Sequence, residues 1–166
     1  HNDNLRNKII YSNKNFVSNI TKKYLTNGSK ILEGGCGRAN NVFSLKKSGF
    51  KVLGVDFAKQ TVKKVNELMP ELDIRLGDVR KLNIKSNSFD GYWSLGVIEH
   101  FWEGYDLIAK EMYRVLLPGG YLFLTFPSMS NYRRYKARKN YFKLLNNKLS
   151  KPEGFYQYAL NPDDVI

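Results

Sequence analysis

The chain has 166 residues, 42% of them hydrophobic and 14% aromatic, which is enough to bury the core of a single domain. Its net charge of +12 leaves two explanations open, a polyanionic partner or a composition simply crowded with Lys, Asn and Tyr. The single cysteine, Cys36, excludes an internal disulfide and a cysteine-built metal cluster, and no metal site is expected. No apolar run approaches the roughly 20 residues of a membrane-spanning helix. The opening HNDNLRNK lacks the apolar core of a secretory signal, so a cytoplasmic location is expected. A start at His1 rather than Met indicates a tag remnant or a trimmed end.

Taken in chain order, residues 1–27 read as a helical segment whose apolar face is Phe16, Ile20 and Tyr24 with Val17 beside them. TNGSK breaks it, with Gly28 suited to the left-handed position after a helix. Strands and helices then alternate through residues 28–127. KILEGG is a strand, RANNVFSLKKSG a helix, FKVLGVD a strand and AKQTVKKVNELM a helix halted by Pro70. LDIRLGD is the third strand, VRKLNIKSNS irregular and FDGYWSLG the fourth strand. YDLIAKEMYRVL is a helix, LPGG a sharp turn and YLFLTFP the fifth strand. Such alternation predicts an α/β fold, a doubly wound, Rossmann-like and mostly parallel sheet with helices on both faces. Ligands then bind beyond the carboxyl ends of the strands.

Residues 128–166 differ in character. The stretch through Lys151 is basic and aromatic without one acid, and NPDDVI at the end reads as a helix start with Asn161 as cap and Pro162 in the first turn. A helix opening in the last six residues indicates that the C-terminal strands of the fold are missing from this chain. The whole of 1–166 is expected to be one domain.

The turn after the first strand carries the chemistry. A dinucleotide fingerprint wants G-x-G-x-x-G, and Gly35 and Gly37 supply two glycines while Asn40 occupies the third place. A phosphate-binding P-loop needs G-x-x-x-x-G-K-[ST], which residues 38–41 do not offer. What remains is Glu33-Gly34-Gly35-Cys36-Gly37, with Asp56 after the second strand and Gly77-Asp78 after the third.

That set resembles the class I S-adenosylmethionine-dependent methyltransferases, in particular the small ones with an (E/D)-x-G-C-G motif. The resemblance runs from Lys30 to Pro127 through LEGGCG, VLGVD, LGDV, FDGYWSLGVIEHF and RVLLPGGYLFLTFP. One departure is Ala39, where the family usually has glycine in G-C-G-x-G. The resemblance implies S-adenosyl-L-methionine as cofactor, held by Glu33, Gly35, Cys36, Gly37, Asp56, Phe57, Gly77, Asp78, Val79, Ser94 and Leu95. Asp56 ends its strand where a carboxylate accepts hydrogen bonds from ribose hydroxyls. Asp78 and the Val79 backbone would take the adenine edge, Phe57 its face, and Glu33 the methionine end. Alone, Asp56 reads as a helix cap, Asp78 as a turn residue and Cys36 as turn filling.

Methyl transfer asks mainly for alignment in a dry pocket. A general base is optional; His100 is the nominee, although its first reading is a structural histidine opening the next helix. The acceptor is narrowed by absences. Residues 94–97 lack the Asn/Asp-Pro-Pro-aromatic motif of enzymes acting on adenine amines, Cys36 is misplaced for cytosine chemistry, and no Asp-rich metal site of the catechol type is evident. A small-molecule or sugar- or lipid-linked acceptor is expected, an anionic one among the candidates, met by Tyr132, Arg133, Tyr156 and Tyr158. The basic helix predicted over 131–143 supports two alternatives, an RNA methyltransferase and a non-catalytic nucleic-acid-binding module on the same fold. Its Tyr135, Lys139 and Phe142 equally suit a helix with aromatics packed inward.

Overall fold

A computed structural model describes residues 2–11, 16–139 and 154–165. Its elements are α1 (Asn2–Tyr11), α2 (Phe16–Tyr24), β1 (Lys30–Gly34), α3 (Asn40–Lys47), β2 (Lys51–Asp56), α4 (Lys59–Leu68), β3 (Asp73–Leu76), β4 (Phe89–Leu95), α5 (Asp106–Val115), β5 (Leu116–Thr125) and α6 (Asn131–Arg138). Short 3-10 helices cover Ile98–His100 and Pro162–Asp164. The strands form one sheet in the order β3-β2-β1-β4-β5. β1 pairs in parallel with β2, from Lys30 opposite Lys51 to Gly34 opposite Val55, and with β4, from Ile31 opposite Gly91 to Gly34 opposite Ser94. β2 and β3 are parallel as well. This is the expected Rossmann-like α/β architecture, with the chain order reversing between β1 and β4.

The described chain gathers into two compact units, His1–Leu95 with Asp106–Leu124, and Gly96–Tyr105 with Thr125–Ile166. In the first unit, period-two alternation sends Ile31 and Trp93 to one face of the sheet, where they pack with Val17, Leu45, Phe50 and Phe123. Trp93 stacks on Phe123 at 4.5 Å, and its indole N–H donates to Thr21 Oγ1 at 2.9 Å, so the buried polar tip is satisfied. α3 and α4 bury a second cluster with α1 and β3, including Ile9, Val42, Val62, Val65 and Ile74. α5 lies between β4 and β5 in the chain, and its Glu111 accepts the Leu82 N–H at 2.6 Å. Ile108, Met112 and Val115 line its buried side.

Three expectations need correction. The N-terminal helical segment comprises two helices, with residues 12–15 outside the described residues, and the buried face of α2 is Val17, Ser18 and Thr21. Phe16 and Tyr24 stay more than half exposed. The face is rotated by one residue because Ser18 hydrogen-bonds Ser44 and Thr21 receives the Trp93 N–H, so polar side chains are buried with partners. LPGG is no separate turn but lies inside β5, where Gly119 takes a left-handed φ of 78° between extended neighbours. Asn161 is extended ahead of Pro162–Asp164 yet makes no side-chain cap bond.

Candidate functional site: a glycine turn pinned between two carboxylates

The turn begins where β1 runs out. The N–H groups of Gly35 and Cys36 both donate to the Val55 carbonyl, at 2.8 and 3.1 Å, which staples the turn to the end of β2. Gly35 and Gly37 are left-handed, with φ of 75° and 51°. Ala39, the departure from the glycine pattern, is left-handed too, with φ 62° and ψ 23°, and its methyl group is fully buried against the α3–α4 cluster. A residue with a side chain in this conformation carries about 1–2 kcal/mol of strain, so packing holds it there.

Asp56 locks the turn from below. Its Oδ2 accepts the Gly37 N–H at 2.7 Å and its Oδ1 the Ala58 N–H at 2.8 Å. The carboxylate thus joins the glycine turn to the entry of α4, a bracing role beside which each oxygen keeps further acceptor capacity. Its backbone carbonyl takes the Gly77 N–H at 3.0 Å, tying in the loop after β3. Glu33, Gly35, Cys36, Gly37, Asp56 and Gly77 are in this way drawn together by hydrogen bonds and packing along the carboxyl ends of β1, β2 and β3.

Glu33 is almost completely buried. Asn41 Nδ2 donates to its Oε1 at 2.8 Å, and the Val42 N–H at the start of α3 also supports it. Its Oε2 has no partner among the described residues. Burial, with the negative charge of Asp56 nearby, pushes the carboxyl up from 4.5 to about 8 against those hydrogen bonds. At neutral pH Glu33 is therefore a buried neutral acid with one oxygen unclaimed. Burial first, then Glu33 and Asp56, drives the Cys36 thiol far above its ordinary range, and its sulfur packs where Gly54 lacks a side chain. This excludes Cys36 as a thiolate nucleophile.

The remaining first-unit candidates are more varied. Phe57 is 77% exposed directly after Asp56, an apolar ring offered to a ligand. Asp78 is clasped by Arg80, whose Nη2 lies 2.7 Å from Oδ2 and whose backbone N–H lies 2.8 Å from Oδ1. That clasp holds the Asp78 carboxyl below the usual range. Val79 is buried, Leu95 half-buried, and Ser94 is fully buried with its Oγ unpartnered among the described residues. Below the turn, Tyr92 fills the space that Gly34 leaves; a Cβ on Gly34 would stand 2.0 Å from the Tyr92 oxygen. Burial raises the Tyr92 phenol, and its hydroxyl is also unpartnered among the described residues.

The second unit is organised by residues 154–165. Leu160 exchanges backbone bonds with Pro127 and Met129, and the Tyr158 N–H donates to the Glu99 carbonyl at 2.9 Å. His100 is exposed, with Nδ1 2.9 Å from the Tyr156 carbonyl and its ring edge-on to Tyr156. A carbonyl can only accept, so Nδ1 is the donor in this contact. Tyr158 donates its hydroxyl to the Trp102 carbonyl at 3.1 Å and stacks on the Trp102 ring, which also meets Phe155. Tyr132 and Arg133 stand exposed on α6, Lys136 lies 4.7 Å over the Tyr132 ring, and Arg133 reaches the Ser128 carbonyl. Tyr135 is also exposed, so the described part of α6 does not pack these tyrosines inward. Phe142, Lys143 and Lys148 lie outside the described residues.

Sequence reasoning missed Asn41, Arg80, Tyr92 and the Trp102–Phe155 contact. Asn41 had a signal, a polar residue in the first turn of the helix that follows the strand carrying Glu33. The others depend on contacts that spacing does not reveal.

Residues 32–124 match the family model described as a methyltransferase domain, and the chain belongs to that family, the class I S-adenosylmethionine-dependent methyltransferases. S-adenosyl-L-methionine is the family's methyl donor. Over 101 residues, 61% of the chain, it is 33% identical to a "probable S-adenosylmethionine-dependent methyltransferase" of Mycolicibacterium smegmatis, covering 39% of that protein. Over 57% of the chain it is 34% identical to 2-methyl-6-phytyl-1,4-hydroquinone methyltransferase of Synechocystis, covering 31% of it. The chain thus spans well under half the length of these two relatives. Its fold is shared with a SAM-dependent methyltransferase of Methanosarcina mazei, with a TM-score of 0.72 at 22% identity over 87% of this chain and 79% of that one. Among the described residues no helix is long and apolar enough to cross a membrane.

Proposed function

We propose that residues 1–166 form the donor-binding part of a methyltransferase that moves a methyl group from S-adenosylmethionine to a small-molecule or sugar- or lipid-linked acceptor. The observation that carries this reading is Glu33: a buried acid with an unclaimed oxygen, set at a left-handed glycine turn that Asp56 braces. A cationic ligand end would complete that oxygen. Gly35, Cys36 and Gly37 would admit the ligand to bare backbone. Asp56 would use its spare acceptor capacity on the ribose, and Phe57, Gly77, Asp78, Val79, Ser94 and Leu95 would surround the base and thioether. The donor supplies an already activated methyl group on a sulfonium, so the protein's share is to orient it and exclude water. His100, whose Nδ1 is engaged by the Tyr156 carbonyl, is the candidate base.

A small acceptor is supported by the hydroquinone named for the Synechocystis relative, and by the inert Cys36, which rules out a cysteine adduct at this site. A second reading, an RNA acceptor, is favoured by the exposed tyrosines among the cations of α6.

The test is calorimetric titration with S-adenosylmethionine and S-adenosylhomocysteine, comparing wild type with Asp56→Asn, which keeps one acceptor for the turn. Binding that weakens in the variant supports the reading. A folded wild-type protein that binds neither compound would sink it.

A further inference from the structure

The charge excess has a second address, at the amino ends of the strands. An open groove there is lined by Lys30, Lys51, Asp73, Arg75, Asn83 and Lys85, with Ser88 beside them. Lys30 and Lys51 are register partners on neighbouring parallel strands, so two exposed ammonium stems leave the sheet side by side, about 5 Å apart at the backbone. Like charges placed directly opposite destabilise a sheet. Among the described residues Lys30, Lys51 and Lys85 have no ion-pair partner. The one acid in the lining, Asp73, is held by its neighbour Arg75 in a two-bond fork at 2.8 and 3.0 Å. Asp90, in the same strand end, directs its Oδ2 to the Lys30 backbone N–H at 2.7 Å. The last turns of α2 and α3, which end at this same edge, add Lys22, Lys23, Lys46 and Lys47.

We propose that this groove docks the phosphodiester backbone of a nucleic acid on Lys30, Lys51 and Lys85. A row of phosphates neutralises a lysine pair that has no ion-pair partner among the described residues, and the Asn83 amide adds an uncharged donor. The apolar lining residues are buried or half-buried, so the groove offers nothing to insert into a bilayer, and its cations sit in a concavity that a linear polyanion enters. With no exposed aromatic among the described lining residues, binding is carried by phosphate contacts, tolerant of sequence and steep in salt. The groove lies at the opposite edge of the sheet from the Glu33–Gly37 turn, so the strand held here is anchored rather than methylated. The inference stands whether or not the methyl-transfer reading does.

The test is fluorescence anisotropy of the purified protein with a labelled single-stranded RNA across a salt series. Two triple variants are compared, Lys30→Gln/Lys51→Gln/Lys85→Gln in the groove and Arg133→Gln/Arg134→Gln/Arg138→Gln on α6. The groove variant is expected to bind at least about tenfold more weakly at low salt. Its log–log salt slope should be shallower by about 2, from roughly 0.7 per lost phosphate contact. The α6 variant should keep the wild-type slope. Removing the lysine repulsion leaves the melting temperature unchanged or higher, which separates loss of binding from loss of fold. Wild-type affinity and slope in the groove variant, or no binding by wild type, would overturn the proposal. So would binding to phosphatidylglycerol vesicles that the groove variant loses while RNA binds to neither protein.

Discussion

The two ends of the sheet are built on opposite terms. At the carboxyl ends the chain breaks local rules inside the core: Glu33, Tyr92 and Ser94 bury polar atoms that have no partner among the described residues, and Ala39 sits in a left-handed conformation. At the amino ends the backbone is ordinary, and the unresolved term is electrostatic and exposed, a lysine pair in direct register. Buried polar atoms are costly and short-ranged, so they define a shaped site for one ligand. Exposed charges are screened and adaptable, which suits a surface for a long polyanion. The comparison predicts the largest effects where a buried polar group or a tight contact is altered at the first end, and modest, salt-dependent ones at the second.

The largest effect belongs to Glu33. Its carboxyl holds its proton up to about 8, while the unfolded chain releases it near 4.5. Between those values the folded state binds more protons, so the Glu33 contribution to stability is full below 4.5, falls as pH rises and levels off above about 8. The fall amounts to several kcal/mol if the site does not relax. Urea midpoints measured across this window should decline in wild type and flatten in Glu33→Gln. A cationic donor end would draw the proton off, so titrations at pH 7 in buffers of different ionisation enthalpy should show proton release on binding, absent in Glu33→Gln. A wild-type curve as flat as the variant's would remove the buried acid from the comparison.

Next comes the packing under the turn. Gly34→Val places a Cβ on the Tyr92 hydroxyl and should destabilise by about 1–3 kcal/mol, with part of the loss restored in Tyr92→Phe, where the clashing oxygen is gone. Tyr92→Phe alone deletes a buried hydroxyl that has no partner among the described residues and should be neutral or stabilising by about 1 kcal/mol. A double-mutant cycle on thermal or urea unfolding measures the coupling. Additive losses would mean that Gly34 is glycine for some reason other than Tyr92.

How much of this was readable beforehand follows from range. The β/α alternation, the sheet and the acid-bearing strand ends are local or periodic patterns, and the turn from Glu33 to Gly37 was visible as a motif. Tyr92 beneath Gly34 was not, since 58 residues of chain separate the two and nothing in either neighbourhood encodes the contact. Nor was the hold of Pro127–Met129 on Leu160, which closes more than thirty residues of chain. The rotated face of α2 escaped for a different reason: hydrophobicity alone favoured Phe16 and Tyr24, whereas Trp93 required a hydroxyl at Thr21. Asp56 shows a third limit, because a side chain read as a ligand acceptor also serves as a brace.

At the amino end, Lys51→Glu turns the registered pair with Lys30 into one of opposite charge. The gain should be about 0.2–1 kcal/mol at low salt, shrinking as salt is added. Chemical unfolding at two ionic strengths reads it directly. A loss of stability would mean that the two stems splay apart and never feel each other, leaving the groove without its strongest electrostatic tension.

The smallest expected change is at Ala39, and its smallness is informative. Ala39→Gly removes about 1–2 kcal/mol of left-handed strain. It also returns roughly 0.5–1 kcal/mol of backbone entropy to the unfolded chain and gives up a buried methyl worth about 0.8 kcal/mol. These terms cancel to near zero, so the unfolding midpoint should barely move. What changes is rigidity, because alanine confines the turn to one basin where glycine has several. If a pre-set turn is what the ligand needs, donor affinity should fall in Ala39→Gly while stability holds. Equal affinity would show that the Asp56 bond to Gly37 alone fixes the turn.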